Sequence, residues 1–344
     1  MFFSMRFCQS CARKVGDFMS TRMTRKMFRP SIRRLLFSTL GSVVGILGVL
    51  LGIAAYIVET ITRPKRQENF FDFYTFSPFE LDLPAEEVEF APLQGDHLVS
   101  GWYIPFEGAT STIILCPGYH GRRADTLGTA SRLWHAGHNI LAFEYYGHGT
   151  IVGKPVTLGY REINDFLGAV EYVKQRAPGT HIGAVGYSMG ASVAIMGAAR
   201  TPDVEALVLD SGFATHRSAI AYAVQRTLHM PFFFDWMTDL LLSLRAGYHF
   251  NQVEPIRDIR RIAPRPILII HGLKDTIVDP NDAKLLYAAA GEPKELWLFP
   301  HADHCGSYFE DRVAYVERVE DFFDYYLRGG TSRQSDDVDV DVGA

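Results

Sequence analysis

The chain has 344 residues, 47% of them hydrophobic and 21% charged, which is ample for a packed core and excludes a natively disordered protein. Its formal net charge is −5. Nine of its 34 Lys and Arg residues lie within the first 34 positions beside one acid, Asp17, so the remainder is distinctly acidic and poorly suited to nucleic acid as a partner.

Residues 1–34 form the basic arm, expected to be cytoplasmic. Cys8 and Cys11 make a lone C-x-x-C there, with no second pair to complete a zinc site. Next comes Leu35–Val58, 24 residues without a charge. As a helix it is about 36 Å long, enough to cross a hydrocarbon core of about 30 Å. The apolar stretch is longer than that of a cleaved signal, and no small-residue cleavage site follows it, so the segment reads as a retained transmembrane helix. The basic excess on its N-terminal side places that end in the cytoplasm and the bulk of the chain on the exocytoplasmic side. Gly41, Gly45, Gly48 and Gly52 share one helix face, which allows a homodimer through close helix approach. Glycine is also simply frequent in membrane helices, which explains the stripe equally well.

Residues 59–85 read as a juxtamembrane linker rich in aromatics (Phe70, Phe71, Phe73, Tyr74, Phe76, Phe79), placed either at the membrane interface or against the domain that follows. From residue 86 to 329 short apolar runs alternate with helical patterns. Strands are expected near 86–93, 97–106, 111–117, 139–146, 181–187, 204–210, 265–271 and 294–299. The intervening helices are expected at 123–136, 161–176, 189–200, 281–290 and 308–327. The first two strands are close enough for a hairpin, and the rest predict an α/β architecture with a mainly parallel, eight-stranded sheet covered by helices on both faces. Residues 213–262 interrupt this rhythm as a helical lid insertion, in which Phe232, Phe233, Phe234 and Trp236 either line an acyl site, touch the bilayer or pack on the domain. Residues 330–344 are an acidic tail expected to be disordered.

Chemistry enters at "AVGYSMGAS", where Gly186, Ser188 and Gly190 fit G-x-S-x-G between a strand and a helix. A sharp turn at Ser188 requires small neighbours two positions away on either side, and the helix start favours developing negative charge. A serine hydroxyl needs a base, and the base an orienting acid. "HGLKD" presents Asp275 after the seventh expected strand, and "FPHADHCGSY" presents His304 after the eighth. Loops at the carboxyl edge of a parallel sheet converge, so Ser188, Asp275 and His304 are expected to meet. His301 competes with His304, and Asp210 and Asp279 compete with Asp275. His120, His148 and His271 border the same edge without forming a metal pattern, so neither metal nor cofactor is expected. Cys116 and Cys305 read equally as free thiols or as a bridge.

Over about residues 86–328 the chain resembles serine hydrolases of the α/β-hydrolase superfamily. The resemblance rests on the chain order Ser188, Asp275, His304, on "LCPGYHG" after the third strand, and on "FEYYGHGT", close to the family's F-D-Y-R-G-H-G-x. Glu144 stands where Asp is common, and Pro117 where His often occurs. The resemblance implies an oxyanion hole from the backbone NH groups of Met189 and Tyr119. It also implies ester hydrolysis through an acyl-enzyme, with small-molecule ester or acyl substrates and with thioesters or amides as variants. Aminopeptidase activity, or a noncatalytic membrane-anchored interaction protein that keeps the fold, are the competing expectations.

Overall fold

The computed structural model describes residues 32–63, 76–149, 154–228 and 233–329. Residues 1–31 of the basic arm, with Cys8 and Cys11, the aromatics Phe70, Phe71, Phe73 and Tyr74, Phe232 and the acidic tail lie outside the described residues. The chain divides into one unit ending at Leu50 and a second beginning at Leu51.

Helix α1 (Ile32–Thr62) runs through that boundary. Its portion Leu36–Thr62 is long and apolar enough to cross a membrane. In the first unit Leu36, Phe37, Val44, Leu47 and Val49 are all exposed. In the second unit Ala54, Val58 and Thr62 recur every four residues, on one helix face, and are buried. The helix thus continues four residues past the expected end at Val58, because its last turns find a packing partner that the run of apolar residues alone does not reveal.

The second unit continues with strands β1 (Glu86–Phe90), β2 (Val99–Ile104) and β3 (Ser111–Cys116), helix α2 (Leu127–His135) and strand β4 (Asn139–Phe143). Then follow α3 (Glu162–Arg176), β5 (His181–Tyr187), α4 (Met189–Ala198) and β6 (Val204–Asp210). The helices α5 (His216–Leu228), α6 (Phe233–Ala246) and α7 (Pro255–Asp258) fall between β6 and β7 (Ile267–Gly272). The order closes with α8 (Pro280–Ala289), β8 (Lys294–Phe299), α9 (Ser307–Glu310) and α10 (Arg312–Arg328). Every expected strand and helix has its counterpart, and the 213–262 insertion is helical.

The eight strands form one sheet in the order β1-β2-β4-β3-β5-β6-β7-β8. β1 and β2 pair antiparallel, as do β2 and β4, and all pairings from β4 to β8 are parallel. This is the α/β-hydrolase fold. Side-chain alternation along each strand feeds two apolar layers, so that on β3 Ile114 and Cys116 join one layer and Ile113 and Leu115 the other. Helices α3, α4 and α8 cover the first layer and α2 and α10 the second. Burial of each large apolar side chain contributes about 1.5–3 kcal/mol, so this double-sided packing holds the carboxyl edge of the sheet rigid.

Candidate active site

Strand β5 ends at Tyr187 and α4 begins at Met189, leaving Ser188 alone to make the turn. Its backbone lies at φ 53°, ψ −118°, a region that a residue with a side chain rarely adopts. The Ser188 NH donates to the Asp210 carbonyl at 2.8 Å, which ties the turn to the end of β6. A Cβ on Gly186 would lie 2.5 Å from Ala191 Cα, and one on Gly190 would lie 2.2 Å from the Cys116 carbonyl oxygen and 2.4 Å from that of Pro117. The glycines flanking the serine are therefore demanded by backbone contact, with α4 starting hard against the end of β3.

Ser188 Oγ is 2.8 Å from His304 Nε2, and His304 Nδ1 is 2.7 Å from Asp275 Oδ2. With the Nδ1 proton directed at the carboxylate, Nε2 is left to accept the serine hydroxyl. The other Asp275 oxygen accepts the NH groups of Ile277 and Val278, each at 2.8 Å. Burial opposes charge on Asp275, but contacts with His271 and His304 and the Val278 NH outweigh it and hold the carboxyl well below its usual range. His271 Nε2 lies 3.1 Å from Asp275 Oδ2, near enough to favour the charge though out of line for a hydrogen bond.

The loops carrying Asp275 and His304 are knitted together. Leu273 NH donates to the Phe299 carbonyl at 2.7 Å and Lys274 NH to the Ala302 carbonyl at 3.0 Å. Asp303 Oδ1 accepts the NH and hydroxyl of Thr276, both at 2.9 Å, and the His304 NH at 2.8 Å. The first of its supports, the His304 NH, lowers the Asp303 carboxyl below its usual range and keeps it an acceptor. Nothing in the sequence distinguishes Asp303 from an ordinary loop acid, because its bridging partner Thr276 comes from another loop.

Met189 heads α4, and Tyr119 sits in the turn closed by Gly121 NH to the Gly118 carbonyl at 2.9 Å. His120, third in that turn, has φ 62°, so Tyr119 occupies the second position and its NH stays outside the turn's own bond. Among the described residues the NH groups of Tyr119 and Met189 make no hydrogen bond. Glu144, longer than the usual Asp, is buried and accepts the Arg123 NH at 3.3 Å on the flank of this loop.

A cavity of about 440 Å³ opens beside Ser188 and His304, lined among others by Tyr119, Thr129, Tyr308 and Phe309. A larger one of about 660 Å³, holding His97 and Asp165, touches none of the three meeting residues. No residue of 213–262 contributes to the described lining beside Ser188. Trp236 is exposed, and the side chains of Phe233 and Phe234 lie outside the described residues. Tyr308 and Phe309 escaped sequence reasoning, since the α9 turn that presents them reads as the start of the last helix.

The competing residues are engaged elsewhere. Asp210 accepts the Ser211 and Tyr315 hydroxyls, each at 2.9 Å, and burial pushes its carboxyl up to about 6. Asp279 caps α8 by accepting the Asn281 NH at 2.9 Å. His301 is exposed, its NH bonded to Glu310 at 3.1 Å. Cys116 and Cys305 are free thiols, not a bridge. His120 and His148 pack edge-on against the Tyr119 ring.

Comparison with known proteins places this geometry in a lineage. Residues 156–330 match the family model of the prolyl oligopeptidase family (Peptidase_S9). YfhR of Salmonella typhi is 30% identical over 255 residues, covering 68% of this chain and 79% of its own. YqkD of Bacillus subtilis is 27% identical over 235 residues, covering 66% and 75%. Among solved structures the esterase Pf2001 of Pyrococcus furiosus superposes with a TM-score of 0.64 at 25% identity, over 78% of this chain and 98% of that one.

Proposed function

The chain belongs to the prolyl oligopeptidase family, and on that premise we propose that it is a serine hydrolase acting on carboxylic esters, held to a membrane by α1. The observation that carries the chemistry is the chain of contacts from Ser188 Oγ through His304 to Asp275, at 2.8 and 2.7 Å, on a strained strand-to-helix turn. Ser188 Oγ attacks the substrate carbonyl while its proton passes to His304 Nε2, and Asp275 orients and stabilises the imidazolium. The carbonyl oxygen takes up the electron pair and is held by the NH groups of Met189 and Tyr119. Collapse of the tetrahedral species expels the alcohol, which receives the proton from His304, and leaves an acyl-enzyme. Water, deprotonated by the same imidazole, then attacks the acyl-enzyme, releases the carboxylic acid and restores Ser188.

The cavity of about 440 Å³ beside Ser188, with Tyr308 and Phe309 in its wall, suits a compact acyl or alkyl group, and the likeness to the Pyrococcus esterase favours esters. The name of the matched family supports a second reading, cleavage of an amide or peptide bond by the same residues. A noncatalytic scaffold fits less well, since it has no need of a serine, histidine and aspartate in register. Hydrolysis of p-nitrophenyl esters of graded length, set against aminoacyl and dipeptidyl amides, separates the readings. Ester turnover that Ser188→Ala abolishes is the expected result; turnover of amides alone selects the second reading, and a folded protein that cleaves neither selects the scaffold.

A further inference from the structure

Helix α1 ends against the very loop that carries Tyr119. The last carbonyls of any helix lack partners within it, and here the globular unit supplies them. The Tyr119 hydroxyl donates to the Ile61 carbonyl at 2.7 Å and lies 3.3 Å from that of Thr60. Val156 NH donates to the Thr62 carbonyl at 3.0 Å. Arg245 of α6 grips Glu59 through two contacts of 2.9 and 3.0 Å. Below these tethers Ala54, Val58 and Thr62 bury the facing stripe of the helix.

We propose that Tyr119 is a positioning residue whose side chain fastens the oxyanion loop to the end of α1, so that the docked helix holds the Tyr119 NH where the tetrahedral oxygen forms. The hydroxyl is bonded to the end of α1 while, among the described residues, the backbone NH makes no hydrogen bond, a division of labour in which one residue is anchored by its hydroxyl and works through its amide. The loop needs such a fastening. Among the described residues its only internal backbone bond is Gly121 NH to the Gly118 carbonyl, and His120 sits in it at a left-handed φ of 62°. The His120 and His148 rings meet the Tyr119 ring in T-shaped contacts, at 4.1 and 5.6 Å between centroids, and the hydroxyl bond adds a directional tether to them. Burial keeps the hydroxyl pKa well above its ordinary value, so it remains a donor throughout the neutral range.

This inference rests on the serine hydrolase reading, and the test separates the two. Full-length protein in detergent micelles is assayed with p-nitrophenyl butyrate, and a trifluoromethyl ketone of matching chain length is used as a probe of the tetrahedral state. Tyr119→Phe removes one oxygen and leaves the ring. It is expected to lower kcat by roughly five- to fiftyfold, less than the roughly 10²–10³ of deleting an oxyanion donor outright, with KM changed less than twofold. The ketone's inhibition constant should rise by the same factor as kcat/KM falls, because both report the oxyanion contact. Val58→Asn, which undocks the helix end, should reproduce the loss, and Tyr119→Phe in that background should add less than twofold, since each change breaks the same fastening. Unchanged kcat and unchanged ketone inhibition in Tyr119→Phe overturn the proposal, as do fully multiplicative losses in the double variant. A wild-type protein that hydrolyses no ester and binds no ketone overturns the underlying reading instead.

Discussion

Asp210 and Asp275 are both buried aspartates at the carboxyl edge of neighbouring strands, and their surroundings drive them apart. Asp275 meets His304 and backbone NH groups that favour its charge, whereas Asp210 meets two hydroxyls and the desolvation of a closed site. Asp275→Asn is therefore expected to lower kcat by roughly 10³–10⁴, and Asp210→Asn by less than tenfold, measured on one ester. The same pair makes opposite contributions to pH-dependent stability. The folded carboxyl of Asp210 lies at about 6 against an ordinary 3.8, so the folded state holds its proton more tightly and stability falls as pH rises between those values. Asp275, depressed, contributes stability above the ordinary carboxyl range that is lost as pH falls below it. Removing the charge with Asp210→Asn should raise the melting temperature relative to wild type more at pH 7.5 than at pH 4.5, by an amount corresponding to about 3 kcal/mol at most. An equal shift at both values would mean that Asp210 is charged, or neutral, across the whole range.

The strand, turn and helix around Ser188 show what is readable from a sequence at the level of elements. Apolar runs of β-branched residues between helical patterns located all eight strands, and G-x-S-x-G located the turn, because these depend on local spacing. What the glycines touch was not readable. Gly190 abuts the carbonyls of Cys116 and Pro117, more than seventy positions earlier, and a Cβ on Gly272 would lie 2.3 Å from the Ala302 carbonyl oxygen. Gly190→Ala should therefore cost about 3 kcal/mol or more and abolish turnover, since backbone must move to admit the methyl group. Gly48→Ala, where a Cβ meets nothing within 4 Å, should leave the melting temperature and kcat unchanged. Thermal melts of the two variants side by side check the contrast. The cavity wall at Tyr308 and Phe309, and the Asp303 bridge between loops, were invisible for the same reason as the Gly190 contact: each is a tertiary event between segments with no shared periodicity.

For the molecule as a whole, α1 differs along its length. Its first part carries exposed apolar side chains, and its last turns are packed and bonded to the globular unit. Composition alone made the apolar stretch legible, but not which of its residues pack on the globular unit, because the buried Val58 is as apolar as the exposed Val49. We infer from the basic arm that the N-terminus is cytoplasmic and the hydrolase unit exocytoplasmic. A phosphatase reporter fused after residue 344 should then be active, and protease added to spheroplasts should reach the globular unit; an inactive fusion and a protected domain reverse the orientation.

The central claim is that Ser188 carries the acyl group. Reacting the full-length protein with a fluorophosphonate and mapping the adduct by peptide mass spectrometry tests it most directly. One adduct per chain on Ser188 is expected, lost in Ser188→Ala and slowed at least a hundredfold in His304→Ala. An adduct on any other residue, or a Ser188→Ala protein that still reacts at the wild-type rate, would contradict it.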